Sequence, residues 1–277
     1  MMAELLRQTV HASASFQPLS AFATRSLGAR GGTLVVFSQG LCPNARLALD
    51  CVSHFDAAFL FTSAEREPQV TRFQEQGGHV VGLPPSSEPG TLVRVVGPCA
   101  AMLAAALHTG SAQAADVNAL VAALGDVPAR VPPSAVRAGR VAFVTANGYG
   151  ELCRAAKNVW LEALSVPEPP MWDVLEVVHG PLQQFFDAEL TLFALERDGE
   201  EGFLFDRLER VLVAGRHRLV RLRSPLPLAV APIDHVAQVI EIVCRVLAAS
   251  PRDLGAWVGS RLEAPLYELG VEPAPEP

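Results

Sequence analysis

A chain of 277 residues suits one large domain or two of modest size. With 50% hydrophobic and 18% charged residues it carries enough apolar material for a sizeable core, which excludes an intrinsically disordered chain. The net charge is −7 and Lys and Arg are scattered, so nucleic acid is not expected as a partner. A phosphorylated small molecule stays open, because amides and hydroxyls hold an anion without a basic surface.

In chain order, Leu5 to Ala23 has helix-like spacing with weak caps. Thr33-Leu34-Val35-Val36-Phe37-Ser38 is a continuous apolar run, the pattern of a strand buried on both faces. Gln39 to Asn44 reads as a loop, and Asn44 is placed to cap a helix with Ala45, Leu47, Ala48 and Val52 on its apolar face. A strand at Ala57–Thr62, a short helix at Val70–Gln76 and a strand at His79–Leu83 follow. Next come a Pro/Ser-rich loop over 84–89 and a helix from about Pro98 to Thr109. A polar break, a short helix at Ala115–Leu124 and Pro132-Pro133 put the boundary between two halves near residue 128.

The second half opens with a buried strand at Arg140–Thr145, a loop Ala146-Asn147-Gly148-Tyr149-Gly150 and a helix over Glu151–Leu164. Further strands are expected at Leu190–Leu195, Leu219–Arg223 and Leu228–Pro232, and helices at Gly202–Val213 and His235–Ala249. Strand, loop, helix and strand thus recur, which predicts an α/β protein with parallel sheets covered on both faces. The organisation expected is 1–127, 128–249 and a C-terminal tail over 250–277, Pro-rich and disordered from Glu272.

Cys42, Cys51, Cys99, Cys153 and Cys244 are odd in number and lack a C-x-x-C pair. That speaks against a disulfide framework or a zinc site and for a reducing, cytoplasmic setting. The histidines show no metal-ligand spacing, and neither metal nor other cofactor is expected. No signal peptide is read at the N-terminus, and no segment reaches the roughly 18 unbroken apolar residues of a membrane span.

Two stretches resemble the double sugar-isomerase (SIS) family, which includes the isomerase domain of glutamine–fructose-6-phosphate amidotransferase. The first is Val35 to Asn44 followed by Ala45-Arg46-Leu47-Ala48-Leu49, similar to the family's strand, S-x-S-G-x-[S/T]-P-D loop and helix. Without a gap, Phe37 and Gln39 stand at the two serines, Cys42 at a hydroxyl residue and Asn44 at the Asp. With one loop residue removed, Ser38 and Gln39 align with the family's S-Q instead. Either way hydroxyl donors are lost and backbone amides remain.

The second stretch runs from Gly150 to Glu162 and precedes Glu176-Val177-Val178-His179-Gly180-Pro181. It is similar to the family's A-L-K-x-K-E helix followed by E-x-x-H-G-P. The family's lysine three residues before the Glu is Val159 here, and Lys157 is out of phase. Weaker traces are Pro84 to Glu88 with Thr91 to Val95, and Pro251-Arg252-Asp253-Leu254-Gly255-Ala256, where the catalytic lysine of the amidotransferase-linked members falls on Ala256.

The resemblance implies two SIS-type three-layer αβα subdomains, Rossmann-like or flavodoxin-like, and it alone implies the following roles for individual residues. The family's first half usually opens with a strand and a G-[T/S]-S loop; Met1–Phe22 already looks like the helix after that loop, so the first subdomain is expected to be shortened at its N-terminus. Ser38, Gln39, Gly40, Cys42 and Asn44 would hold a phosphate, with Thr91 and Arg94 in the sugar-contacting segment and Asn147 and Gly148 as a second candidate cradle. Glu162 would be the base that moves a proton between C1 and C2, and His179, often supplied by a second subunit of a homodimer, would assist ring opening.

The ligand would be a sugar phosphate or amino sugar phosphate, and the activity an aldose–ketose isomerisation. The alternative is a catalytically impaired ligand-binding, regulatory or structural subunit. The residues themselves leave plainer readings open: Glu162 as part of a solvated helix face with Glu151, Arg154 and Asn158, His179 as a turn residue, Asn147-Gly148 as a tight strand-to-helix turn, and Cys42 as a structural thiol. Trp160 and Trp172 read as packing residues.

Overall fold

The computed structural model describes residues 15, 17–28, 30–84, 96–135, 139–199, 201–253, 262 and 264–269. They fall into two compact units, residues 15–105 with the described part of 262–269, and residues 106–253. Of the sequence expectations, the start of the first helix, the 85–95 segment with Thr91 and Arg94, Ala256 and the stretch from Glu272 lie outside the described residues.

In the first unit, the apolar and β-branched runs form β1 (Thr33–Phe37), β2 (Ala57–Thr62) and β3 (His79–Gly82), in the order β1-β2-β3 and all parallel. The helices are α1 (Leu19–Ala23), α2 (Ala45–Leu49), α3 (Pro68–Glu75) and the start of α4 (Val96–His108), with α10 (Ala264–Tyr267) from the tail. Leu34, Val36, Ala58 and Leu60 of the strands close a core with Phe22 of α1, Ala48 and Leu49 of α2 and Val70 and Phe73 of α3. The expectation of a strand buried on both faces fails at β1. Leu34 and Val36 are buried, while Thr33 and Val35 on the opposite face are exposed. The reason is position: among the described residues β1 ends the strand order, with one paired neighbour to shield it.

The second unit continues with α5 (Ala114–Gly125), α6 (Val127–Arg130), β4 (Arg140–Thr145), α7 (Arg154–Leu164), β5 (Met171–Asp173), β6 (Leu190–Arg197), α8 (Gly202–Val211), β7 (His217–Ser224) and α9 (Ala231–Ala249). Its sheet has the order β5-β4-β6-β7, again wholly parallel. One face packs Ala142, Val144, Leu192 and Ala194 against Phe205 and Leu208 of α8. The other presents Phe143 and Phe193 to Trp160 of α7, with ring centroids 6.1 and 5.4 Å away. α7 and α9 pack together, so helices cover both faces of this sheet.

The expected strand at Leu228–Pro232 is instead a turn leading into α9, which starts at Ala231 with Pro232 in its first turn. Proline lacks the N–H a ladder needs and fits a helix start. The helix expected from Glu151 begins at Arg154, after a 3-10 turn over Tyr149–Glu151. β5, three residues long, was not legible from the sequence.

Candidate functional site

In the first unit, the loop Ser38 to Asn44 leaves the C-terminal end of β1, where α/β sheets open their ligand crevices. Its conformation is fixed from inside. The Cys42 amide donates to Ser38 Oγ at 3.0 Å, Ser38 is buried, and Leu41 takes a left-handed φ of 51° to tuck its side chain into the core. The Gln39 carbonyl accepts from Ser63 Oγ at 2.7 Å, Ser63 N at 3.0 Å and Thr62 Oγ1 at 3.1 Å. The loop is thereby clamped to the end of β2.

The Gln39 side chain lies against the first turn of α4, where an added Cβ on Gly97 would meet Gln39 Oε1 at 1.6 Å. Asn44 does not cap α2 as expected: its Nδ2 donates to the carbonyl of Leu266 at 2.9 Å, tying the tail to the loop. Its backbone is already helical at this position, which takes the side-chain oxygen away from the helix amides.

Next to this loop a cleft of about 530 Å³ opens between the ends of β2 and β3, lined by Ser63, Ala64, Glu65, Arg66, Glu67 and Leu83. None of these residues was singled out from the sequence. The Glu65 carboxylate rests on Gly82, where a Cβ would meet Oε1 at 2.3 Å. Arg46 of α2 lies 3.9 Å from Glu67.

In the second unit, Glu162 lies on the exposed side of α7, and burial of part of its carboxyl raises its pKa above the usual carboxylate range. Val159, where the resemblance read from the sequence would put a lysine, is buried, and Lys157 is paired with Glu168. His179 is exposed, at the end of the 3-10 turn Glu176–Val178, with its amide donating to the Glu176 carbonyl at 2.9 Å. Among the described residues, no hydrogen bond or ion pair joins Glu162 to His179.

Asn147 and Gly148 follow β4 with left-handed φ values of 55° and 71°. Asn147 Nδ2 donates to Glu201 Oε1 at 3.1 Å. Beneath this turn runs a buried chain. Tyr149 OH lies 2.8 Å from His235 Nδ1, and His235 Nε2 faces the carbonyls of Leu222 at 3.0 Å and Glu196 at 3.2 Å. Two carbonyls at Nε2 require the ring proton there, so Nδ1 accepts from the phenol. Burial pushes His235 down to about 4 and raises the Tyr149 phenol and the Cys153 thiol well above their ordinary values. The imidazole is therefore neutral.

Beside it the Asp234 carboxylate, fully buried, accepts from both terminal nitrogens of Arg130. Glu196 is held by Arg221 at 2.5 and 2.6 Å. Tyr149 and His235 are 86 residues apart in sequence and Arg130 and Asp234 are 104 apart, separations at which no local pattern announces a contact.

All five cysteines are free, and among the described residues no cluster of His, Cys, Asp or Glu is placed to hold a metal ion. Among the same residues, no helix is long and apolar enough to cross a membrane.

No protein-family model matches the sequence, and no curated relative matches it. Solved structures do. Glucosamine-6-phosphate deaminase from Thermotoga maritima superposes with a TM-score of 0.67 at 13% identity, over 90% of this chain and 81% of the other. Tagatose-6-phosphate ketose/aldose isomerase from Escherichia coli gives 0.67 at 11% identity, over 90% and 78%. The C-terminal domain of glucosamine-fructose-6-phosphate aminotransferase from Francisella tularensis gives 0.63 at 11% identity, over 91% and 81%. The chain has the SIS-type α/β fold. At such identities the likeness shows the fold, and the chemistry has to be argued from this chain's own residues.

Proposed function

We propose that the chain binds a sugar phosphate or amino sugar phosphate, with the loop Ser38–Asn44 as its phosphate-binding element. The observation that carries this reading is the clamped loop itself: a strand-end turn whose Gln39 carbonyl is tied to Thr62 and Ser63 and whose Gly40 is exposed, next to a cleft large enough for a hexose phosphate. The fold is shared with proteins named for such sugars. Thr91 and Arg94 belong to the proposal as sugar contacts.

Glu162 is the proposed base for proton transfer between C1 and C2, and its raised pKa is the direction a base working near neutral pH requires. His179 is the proposed ring-opening group. It is exposed in the protomer, which suits a residue acting in a cytoplasmic homodimer.

A second reading, a binding subunit without turnover, is favoured by one observation. The lysine position before Glu162 is a buried valine, and the nearest lysine is already paired with Glu168. A site short of preorganised charge is a weak catalyst.

Thermal-shift titration with hexose phosphates and amino sugar phosphates tests binding: an upshift lost in Ser38→Ala is expected, and no upshift with any of them sinks the proposal. Exchange of deuterium into C2 of the bound sugar, absent in Glu162→Gln, separates isomerase from binding subunit. Light scattering on the eluting protein reads the dimer.

A further inference from the structure

We propose that the Glu201 carboxylate is a built-in occupant of an anion site in the second unit, and that removing it uncovers a site for a free oxyanion such as phosphate. Two donors from different strand ends converge on it. Asn147, held in a left-handed turn at the end of β4, gives its side-chain amide to Glu201 Oε1 at 3.1 Å. Arg197, the last residue of β6, gives Nη2 to the same oxygen. Glu201 immediately precedes α8, a helix of ten residues, yet makes no capping bond to it. Its side chain turns back to Asn147 and Arg197 instead.

Two further facts mark this as a site fitted imperfectly by its own carboxylate. Glu201 is 6% exposed, and its second oxygen, Oε2, is buried without a hydrogen-bond partner among the described residues. Arg197 Nε is buried and likewise unpartnered. A guanidinium offers Nε and Nη2 as a fork to one oxyanion, but the carboxylate engages a single prong. A phosphate has oxygens for both prongs and for the Asn147 amide.

The donors do not depend on Glu201 for their position. The Arg197 guanidinium sits over the Tyr149 ring, 5.2 Å from its centroid, and Tyr149 is anchored through its hydroxyl to His235. Truncating Glu201 therefore leaves a fixed cationic fork and an amide with no anion between them. In the wild-type chain this half is closed to phosphate, so the left-handed turn at Asn147-Gly148 is a self-filled cradle. The inference does not rest on the Ser38–Asn44 loop.

The test is chemical rescue. Glu201→Ala leaves Arg197 unpaired and lowers the melting temperature. Inorganic phosphate then raises it by about twice the wild-type shift or more, whereas chloride at equal ionic strength does not. In Glu201→Ala/Asn147→Ala the extra shift disappears. Wild-type protein labelled with nitrogen-15 shows no perturbation of the Asn147 side-chain amide by phosphate, and Glu201→Ala shows one that saturates with phosphate concentration.

Equal phosphate shifts in wild type and Glu201→Ala overturn the proposal, as does a wild-type Asn147 signal that moves with phosphate. If Glu201→Ala does not fold, phosphate in the refolding buffer has to restore it, and failure there counts against the idea. A wild-type protein insensitive to every sugar phosphate sinks the reading of the first-unit loop and leaves this one standing.

Discussion

The two units solve the same problem, a parallel sheet with polar groups at its strand ends, in opposite ways. In the second unit four strands are covered on both faces, and the strand ends carry a dense set of buried charges: Asp234 with Arg130, Glu196 with Arg221, Glu201 with Arg197. In the first unit the sheet has three strands, β1 shows an exposed face, and the strand-end loop is held by hydroxyls and backbone rather than ions. Ionic clamping fills the strand ends with the protein's own charged groups. Hydroxyl and carbonyl clamping fixes a loop while leaving a cleft beside it open.

The sharpest way to break this contrast is to remove an ion partner. Arg130→Ala leaves Asp234 as an uncompensated buried charge, with an expected loss of about 3–5 kcal/mol. Hydrogen exchange should quicken in β4, β6 and β7, while β1 and β2 stay protected. Loss of protection throughout the chain would show that the two units do not unfold separately.

The next effect is proton-linked. His235 is neutral in the fold with its pKa pushed down to about 4, whereas the unfolded chain binds a proton below about 6.5. The unfolded state thus holds more protons between those values, so stability falls as pH drops from about 6.5 towards 4, by roughly 3 kcal/mol across that window. Denaturant titrations at pH 7, 6, 5 and 4 should show this slope in wild type and a shallower one in His235→Gln. An unchanged slope in the variant would assign the loss to other groups.

Smaller effects are expected in the first unit. Thr62→Val removes the hydroxyl that donates to Gln39 O and accepts from the Ala64 amide at 3.0 Å, costing about 1–2 kcal/mol and loosening the loop. Weaker sugar-phosphate binding should accompany it, read by the same thermal titration. Smallest of all, Glu162→Gln should change stability by no more than about 0.5 kcal/mol, because the residue lies on an exposed helix face. Any larger change measured by denaturant would mean the carboxylate has a structural partner.

The strand–loop–helix units at 33–49 and 140–164 were legible because buried strands and amphipathic helices are written in short-range periodicity. The candidate loop Ser38–Asn44 was legible for the same reason, as the turn between two such runs. Leu228–Pro232 misled because an apolar run reads alike as a strand or as the approach to a buried helix, and only Pro232 favoured the second. The cleft residues Ser63 to Glu67 went unseen, since a polar stretch after a strand gives no sign that it lines a concavity.

By itself the sequence determined the parallel α/β architecture, since composition and period mark the long strands and the apolar faces of the helices that alternate with them. Tertiary structure alone decided which polar groups meet. Tyr149 reaches His235, Asn147 reaches Glu201 and Arg130 reaches Asp234 across 54 to 104 residues of intervening chain. Each such pairing depends on where two strand ends are brought by the folding of everything between them, and local periodicity carries no record of that distance.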